Sequence, residues 1–114
     1  MGLGEKAVMT VDANADGTMD VTQLDQVLTQ AKAEGLIPFA IVGTAGTTDH
    51  GAIDDLDFIA DMAAKHEMWM HVDGAYGGAL ILSSHKSRLK GVERATPISF
   101  DFPKLFNQTI RWGV

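Results

Sequence analysis

Trp69-Met70-His71-Val72-Asp73-Gly74-Ala75-Tyr76-Gly77-Gly78 is the stretch whose reading decides the fold. A short apolar run, Trp69 to Val72, ends abruptly in a carboxylate and then in small residues. Such a run, too short for a helix and closed by glycine, reads as a buried strand. The pattern repeats on both sides. Phe39-Ala40-Ile41-Val42, bounded by Pro38 and Gly43, suits a strand buried on both faces and opens into a Gly/Thr-rich loop that holds Thr44. Ile98-Ser99-Phe100 leads into Asp101-Phe102-Pro103-Lys104. Two further strands are predicted, one over Ala7 to Val11 and a weaker one over Thr109 to Trp112.

Helical spacing fills the gaps. Asp20 is placed to cap a helix, with Gln23 three residues on as a capping-box variant. Leu24, Val27, Leu28 and Ala31 follow on one face, and Gly35 closes the helix. A second helix begins near Asp54 and ends near His66. Leu56, Ile59, Ala60, Ala63 and Ala64 form its apolar side. Strands alternating with helices predict an α/β chain with a mostly parallel sheet, right-handed crossovers and flanking helices. Ligands of such sheets sit beyond the carboxyl ends of the strands. Thr44, Asp73 and Lys104 all fall just past predicted strand ends, so three segments can share one crevice.

A lysine and a carboxylate in such positions suit pyridoxal phosphate. The lysine can form a Schiff base with the aldehyde, and the carboxylate can hold a proton on the pyridine nitrogen. Either residue alone means little, since most lysines are solvated and most strand-end aspartates cap turns.

The 114 residues bound the chain to a single domain. Hydrophobic residues at 46% and charged residues at 21% are ordinary for a globular protein and supply one real core. A net charge of −6 without any Lys/Arg cluster argues against nucleic-acid binding. The absence of cysteine removes disulfides, thiolate metal sites and thiol nucleophiles, and fits a reducing compartment. No apolar stretch has membrane-spanning length, and Met1 to Lys6 does not read as a secretory signal. The expectation is a cytoplasmic protein.

Metal readings compete. Asp12-Ala13-Asn14-Ala15-Asp16-Gly17, with Gln23 twelfth, nearly reproduces a calcium loop. Gln23 cannot supply the bidentate carboxylate required at the last position, so a plain turn between strand and helix accounts for the segment. His50, His66, His71 and His85 match no compact ligand spacing. His50 reads as a loop residue, and His66 and His85 as surface residues at helix ends. His71 alternates with Asp73 and can share its face. No metal site is expected. Met62, Met68 and Met70 read as core filling.

Ile41 to Asp54, Trp69 to Gly78, Leu89 to Glu93 and Asp101 to Lys104 together resemble the group II pyridoxal-phosphate-dependent amino acid decarboxylases, in the expected order. These include the glutamate, aromatic amino acid, histidine and 2,4-diaminobutyrate decarboxylases. The resemblance implies a central piece, residues 1–114, of the large domain of a fold type I enzyme, without the family's N- and C-terminal parts. It implies pyridoxal 5'-phosphate as cofactor, a small amino acid as substrate and a homodimeric parent. By position it gives Lys104 as the Schiff-base lysine and Asp73 as the pyridine-nitrogen partner, a buried one. Ala75 becomes the small residue against one ring face, and Thr44 the threonine near the phenolic oxygen. The chain departs from the pattern at Pro103, where the family usually has His, at Gly74, often Ala, and over Ile110 to Gly113. Two functional readings follow: a decarboxylase part that is inactive in isolation, or a non-catalytic piece that at most binds a partner. The calcium reading generates its own test. Titration calorimetry of the chain with calcium should show no micromolar site; one abolished by Asp12→Ala would restore the metal reading.

Overall fold

The computed structural model describes residues 4–101. Lys104 and the strand expected over Thr109 to Trp112 lie outside the described residues. Helix α1 spans Val21–Ala33 and α2 spans Leu56–Lys65. Three strands, β1 at Ala40–Thr44, β2 at Trp69–Asp73 and β3 at Ile98–Ser99, form one parallel sheet in the order β1-β2-β3. Four short 3₁₀ turns complete the path: Glu5–Ala7, Gly78–Leu82, Lys86–Leu89 and Val92–Arg94.

Local chemistry sets the helix ends. Asp20 accepts hydrogen bonds from the Thr22 and Gln23 amides, satisfying two of the amides that a helix start leaves without partners. Gln23 does not complete the expected box. Its Nε2 donates to Asp12 Oδ2 at 2.6 Å, its Oε1 accepts the Asp12 amide, and the Asp20 amide turns to the Asp12 carbonyl instead. Past Ala33, Gly35 takes φ +78°, donates to the Lys32 carbonyl, and Leu36 donates to Ala31. Glu67 and Met68 close α2 with the same pair of bonds, but there a glutamate holds φ 55°.

The strand expected over Ala7 to Val11 does not form. A 3₁₀ turn ends at Ala7, and Val8 and Met9 are exposed. β-propensity expresses pairing and packing on a neighbouring strand, and no strand pairs with this run among the described residues. The Asp12 to Gly17 segment is a turn, as expected, and an antiparallel bridge between Ala13 and Met19 closes it. Asn14 Nδ2 donates to Thr18 Oγ1 and the Met19 carbonyl, and Asp16 Oδ1 accepts from the Thr18 amide and hydroxyl. Among the described residues no three of His, Cys, Asp and Glu gather to hold a cation.

The core lies between the sheet and the helices. Leu24, Leu28 and Ala31 of α1, Leu56, Ile59, Ala60, Met62 and Ala63 of α2, and Ile41, Met70 and Val72 of the strands are buried, with Leu89 and Val92 closing one side. Each large side chain here contributes roughly 1.5–3 kcal/mol by leaving water. Met62, Met68 and Met70 are core residues as expected; Ala64 is exposed, and Met62 takes the place expected of it. The sheet is not buried on both faces. Ala40, Val42 and Trp69 alternate outward, with Val42 54% and Trp69 65% exposed. Helix α2 packs on one face only, and no described element covers the other. Beside α2, Gly91 at φ +95° brings its backbone against Asp57, where a Cβ would meet the Asp57 amide nitrogen at 2.4 Å. That approach lets Lys90 and Arg94 pair with Asp57, and Arg94 with Asp61. The Lys90 and Arg94 hydrogen bonds hold the Asp57 carboxyl below its usual range. Among the described residues no helix is long and apolar enough to cross a membrane.

His66, expected at the surface, is half-buried at the α2 C-cap, and neither ring nitrogen has water access or a hydrogen-bond partner. Desolvation first, and then Lys32 and Lys65, push its pKa down, against a smaller opposing pull from Asp25. The unfolded chain therefore binds this proton more readily, and His66 favours the fold above the ordinary histidine value of 6.5. That contribution is lost as pH falls from there through the lower folded value. Urea unfolding across pH 7.5 to 5 should show declining stability, and His66→Leu should flatten the decline. An unchanged slope in the variant would remove His66 as its source.

Candidate active site at the carboxyl ends of the strands

Strands β1 and β2 pair in parallel with Val42 opposite His71 and Thr44 opposite Asp73. Strand alternation therefore places Thr44 and Asp73 side by side on the face away from α2, with Val42 and His71 below them. The opposite face is fixed by Gly43, whose Cβ position lies 3.1 Å from Leu56 and Ile59 of α2. β3 continues the row, with Ser99 opposite Asp73. Two sequence-predicted site residues thus meet at one end of the sheet, and His71 shares their face as expected. Ala75 follows directly, half-buried, two residues beyond Asp73. Lys104 lies outside the described residues.

Asp73 Oδ1 accepts from the Ala75 amide at 3.0 Å and the Ser99 hydroxyl at 3.3 Å. Oδ2 makes no hydrogen bond among the described residues. The aspartate expected to be buried is exposed, because its face of the sheet is the uncovered one.

Backbone hydrogen bonds tie the loops after β1 and β2 together. The Ala45 amide donates to the Asp73 carbonyl at 2.8 Å, and Gly77 donates to the Ala45 carbonyl at 2.9 Å. A Cβ on Gly77 would lie 2.2 Å from that same carbonyl oxygen, and one on Gly46 would lie 2.8 Å from the Gly77 Cα. A Cβ on Gly78 would strike the Phe100 ring at 2.7 Å. The small residues after Asp73 therefore let three strand-end segments converge.

Asp54 is the residue that the sequence reading missed. It is the one buried charged side chain among the described residues. Its Oδ2 accepts the Thr44 amide and its Oδ1 the Met19 amide, both at 2.7 Å, while its own amide donates to the Thr44 carbonyl. The available signal was the doublet Asp54-Asp55 ahead of an apolar helical run. Only one member can cap the helix, and Asp55 does so by accepting the Phe58 amide. Asp54 is left to turn inward, where it fixes the end of β1. His50 is an exposed loop residue paired with Asp49, and His85 is exposed at the start of a 3₁₀ turn, both as expected.

Residues 2–110 match the pyridoxal-dependent decarboxylase conserved domain. The chain belongs to that family. It is 53% identical over 114 residues to the L-2,4-diaminobutyrate decarboxylase of Rhizobium meliloti (strain 1021), a match covering 100% of this chain and 23% of that protein. It superposes with a TM-score of 0.94 and 89% identity on the crystal structure of the glutamate decarboxylase domain of diaminobutyrate-pyruvate transaminase and L-2,4-diaminobutyrate decarboxylase from Vibrio parahaemolyticus, covering 96% of this chain and 24% of that one. Oryza sativa TDC, solved with PLP, gives a TM-score of 0.88 at 29% identity, covering 96% and 24%. The chain spans about a quarter of the length of the relatives it matches.

The family's cofactor fits the residues present. Asp73, anchored through Oδ1, leaves Oδ2 to accept an N–H, the donor that a protonated pyridine ring presents.

Asp54 carries the testable consequence. In Asp54→Asn one of the two backbone amides must face an NH₂ donor, and an unsatisfied buried donor costs about 1–3 kcal/mol. Denaturant unfolding should show a loss of that size, whereas Asp55→Asn, which keeps a capping oxygen, should cost less. Equal costs would deny Asp54 its special place.

Proposed function

We propose that residues 1–114 form a central part of the large domain of a pyridoxal-phosphate-dependent decarboxylase that removes CO₂ from an L-amino acid. The observation that carries this reading is the Asp73 carboxylate, anchored at Oδ1 beside Thr44 at the carboxyl end of a parallel sheet. When bound, pyridoxal phosphate supplies an electron sink for the pair left on Cα as CO₂ departs. Asp73 would hold the cofactor's pyridine N–H through Oδ2, and a charge-assisted hydrogen bond would keep that proton in place. Thr44 would offer its hydroxyl to the ring oxygen, and the small side chain of Ala75 would lie against one ring face. Lys104 supplies the amine for covalent attachment. The high identity to proteins named for L-2,4-diaminobutyrate supports a small diamino acid as substrate. A homodimeric parent in the cytoplasm completes the reading.

A second reading has its own observation. Phe39, Val42 and Trp69 are exposed large apolar side chains, and Val42 and Trp69 lie on the sheet's open face. Such a surface suits covering by other protein. On this reading the 114-residue chain alone contributes a surface and not a reaction.

The open face also bears on catalysis. An exposed Asp73 meets its partner in water, where charge interactions are weak, and catalysis needs water excluded and substrate held. The 114-residue chain with pyridoxal phosphate should therefore release no more CO₂ from L-2,4-diaminobutyrate or other L-amino acids than a Lys104→Ala control. Borohydride reduction of the polypeptide carrying this segment should fix the cofactor on Lys104, as read by peptide mass. Attachment to a different lysine would sink the site assignment, and turnover by the short chain would refute its inactivity.

A further inference from the structure

Asp73 must present one oxygen to its partner, yet a carboxylate on an exposed strand end rotates about χ2 unless something stops it. Two donors from two different segments stop it here. The Ala75 amide, from the loop that follows, reaches Oδ1 at 3.0 Å. The Ser99 hydroxyl, from the neighbouring strand, reaches the same oxygen at 3.3 Å. Ser99 is held in that place by the sheet. It pairs in register with Asp73, and its carbonyl accepts the Gly74 amide at 3.0 Å. A Cβ on Gly74 would lie 3.0 Å from that carbonyl oxygen, so the glycine lets the two backbones close.

We propose that Ser99 is a positioning residue for Asp73: its hydroxyl, together with the Ala75 amide, pins Oδ1 and turns Oδ2 toward the ring nitrogen of the cofactor. The inference rests on the assignment of Asp73 to that nitrogen and adds a residue to it. The hydroxyl acts only through Asp73 and touches no reacting atom. At 3.3 Å the bond is long for a hydroxyl donor, so its role is to restrict rotation and its effect is moderate. A β3 residue thereby sets the geometry of a β2 carboxylate.

The test uses the polypeptide carrying this segment, with pyridoxal phosphate as the probe. Its readouts are the dissociation constant of the cofactor and the pH at which the bound ring nitrogen loses its proton, followed by absorbance. Ser99→Ala should weaken binding about three- to tenfold, the range of one net hydrogen bond, and lower that pH midpoint. Ser99→Thr, which keeps the hydroxyl, should restore both. Asp73→Asn should weaken binding more than Ser99→Ala. If Asp73→Asn weakens binding and Ser99→Ala changes neither readout, the Ser99 inference falls while the role of Asp73 stands. If Asp73→Asn leaves binding unchanged, the assignment of Asp73 falls and the inference with it. A Ser99→Thr chain that behaves like Ser99→Ala also overturns the inference. So does a Ser99→Ala chain that loses its secondary structure by circular dichroism, since the serine would then serve folding.

Discussion

The contact between the backbones of Ala45-Gly46 and Gly77 governs the rest of the structure. The Gly77 amide sits on the Ala45 carbonyl with no room for a side chain between them. This closeness draws the loops after β1 and β2 onto each other. Asp73, whose carbonyl takes the Ala45 amide, is thereby locked at the seam. Thr44 is fixed from the other direction by the buried carboxylate of Asp54. The site is therefore an outcome of backbone packing first and of side-chain chemistry second.

Much of this was legible in the residues. The α1 start was written in Asp20 and its end in Gly35, and the α2 start was placed near Asp54, one residue from the Asp55 that caps it. Strands β1 and β2 were visible as short apolar runs between breakers, and the end of β1 was placed two residues early because Gly43 and Thr44 look like loop. Gly43 belongs to the strand because α2 crosses at that point and leaves no space for a Cβ. Of the stretches that carry the family resemblance, the structure brings Thr44, Asp73 and the glycines after them to one end of the sheet, while Lys104 lies outside the described residues.

What escaped the sequence depended on partners far along the chain. Ala7 to Val11 has strand composition, but no strand pairs with it among the described residues. Continuous apolar runs suggested burial on both faces, yet hydropathy alone does not tell a covered face from one awaiting cover. Asp54 and Ser99 are common residues in unremarkable places, and only tertiary proximity, across 35 residues for Asp54 to Met19 and 26 for Ser99 to Asp73, gives them roles. His66 looked like a terminal polar residue because nothing local reveals that both of its ring nitrogens are shut off from water.

The position of Trp69 has a practical side. Its indole stands 65% exposed at the start of β2, on the same open face as Asp73. Indole emission moves to shorter wavelength when water leaves the ring, so this side chain is a built-in optical gauge of whether that face is covered. With Trp112 replaced by Phe, so that Trp69 supplies all of the indole emission, covering of that face can be followed by fluorescence in real time, without a label.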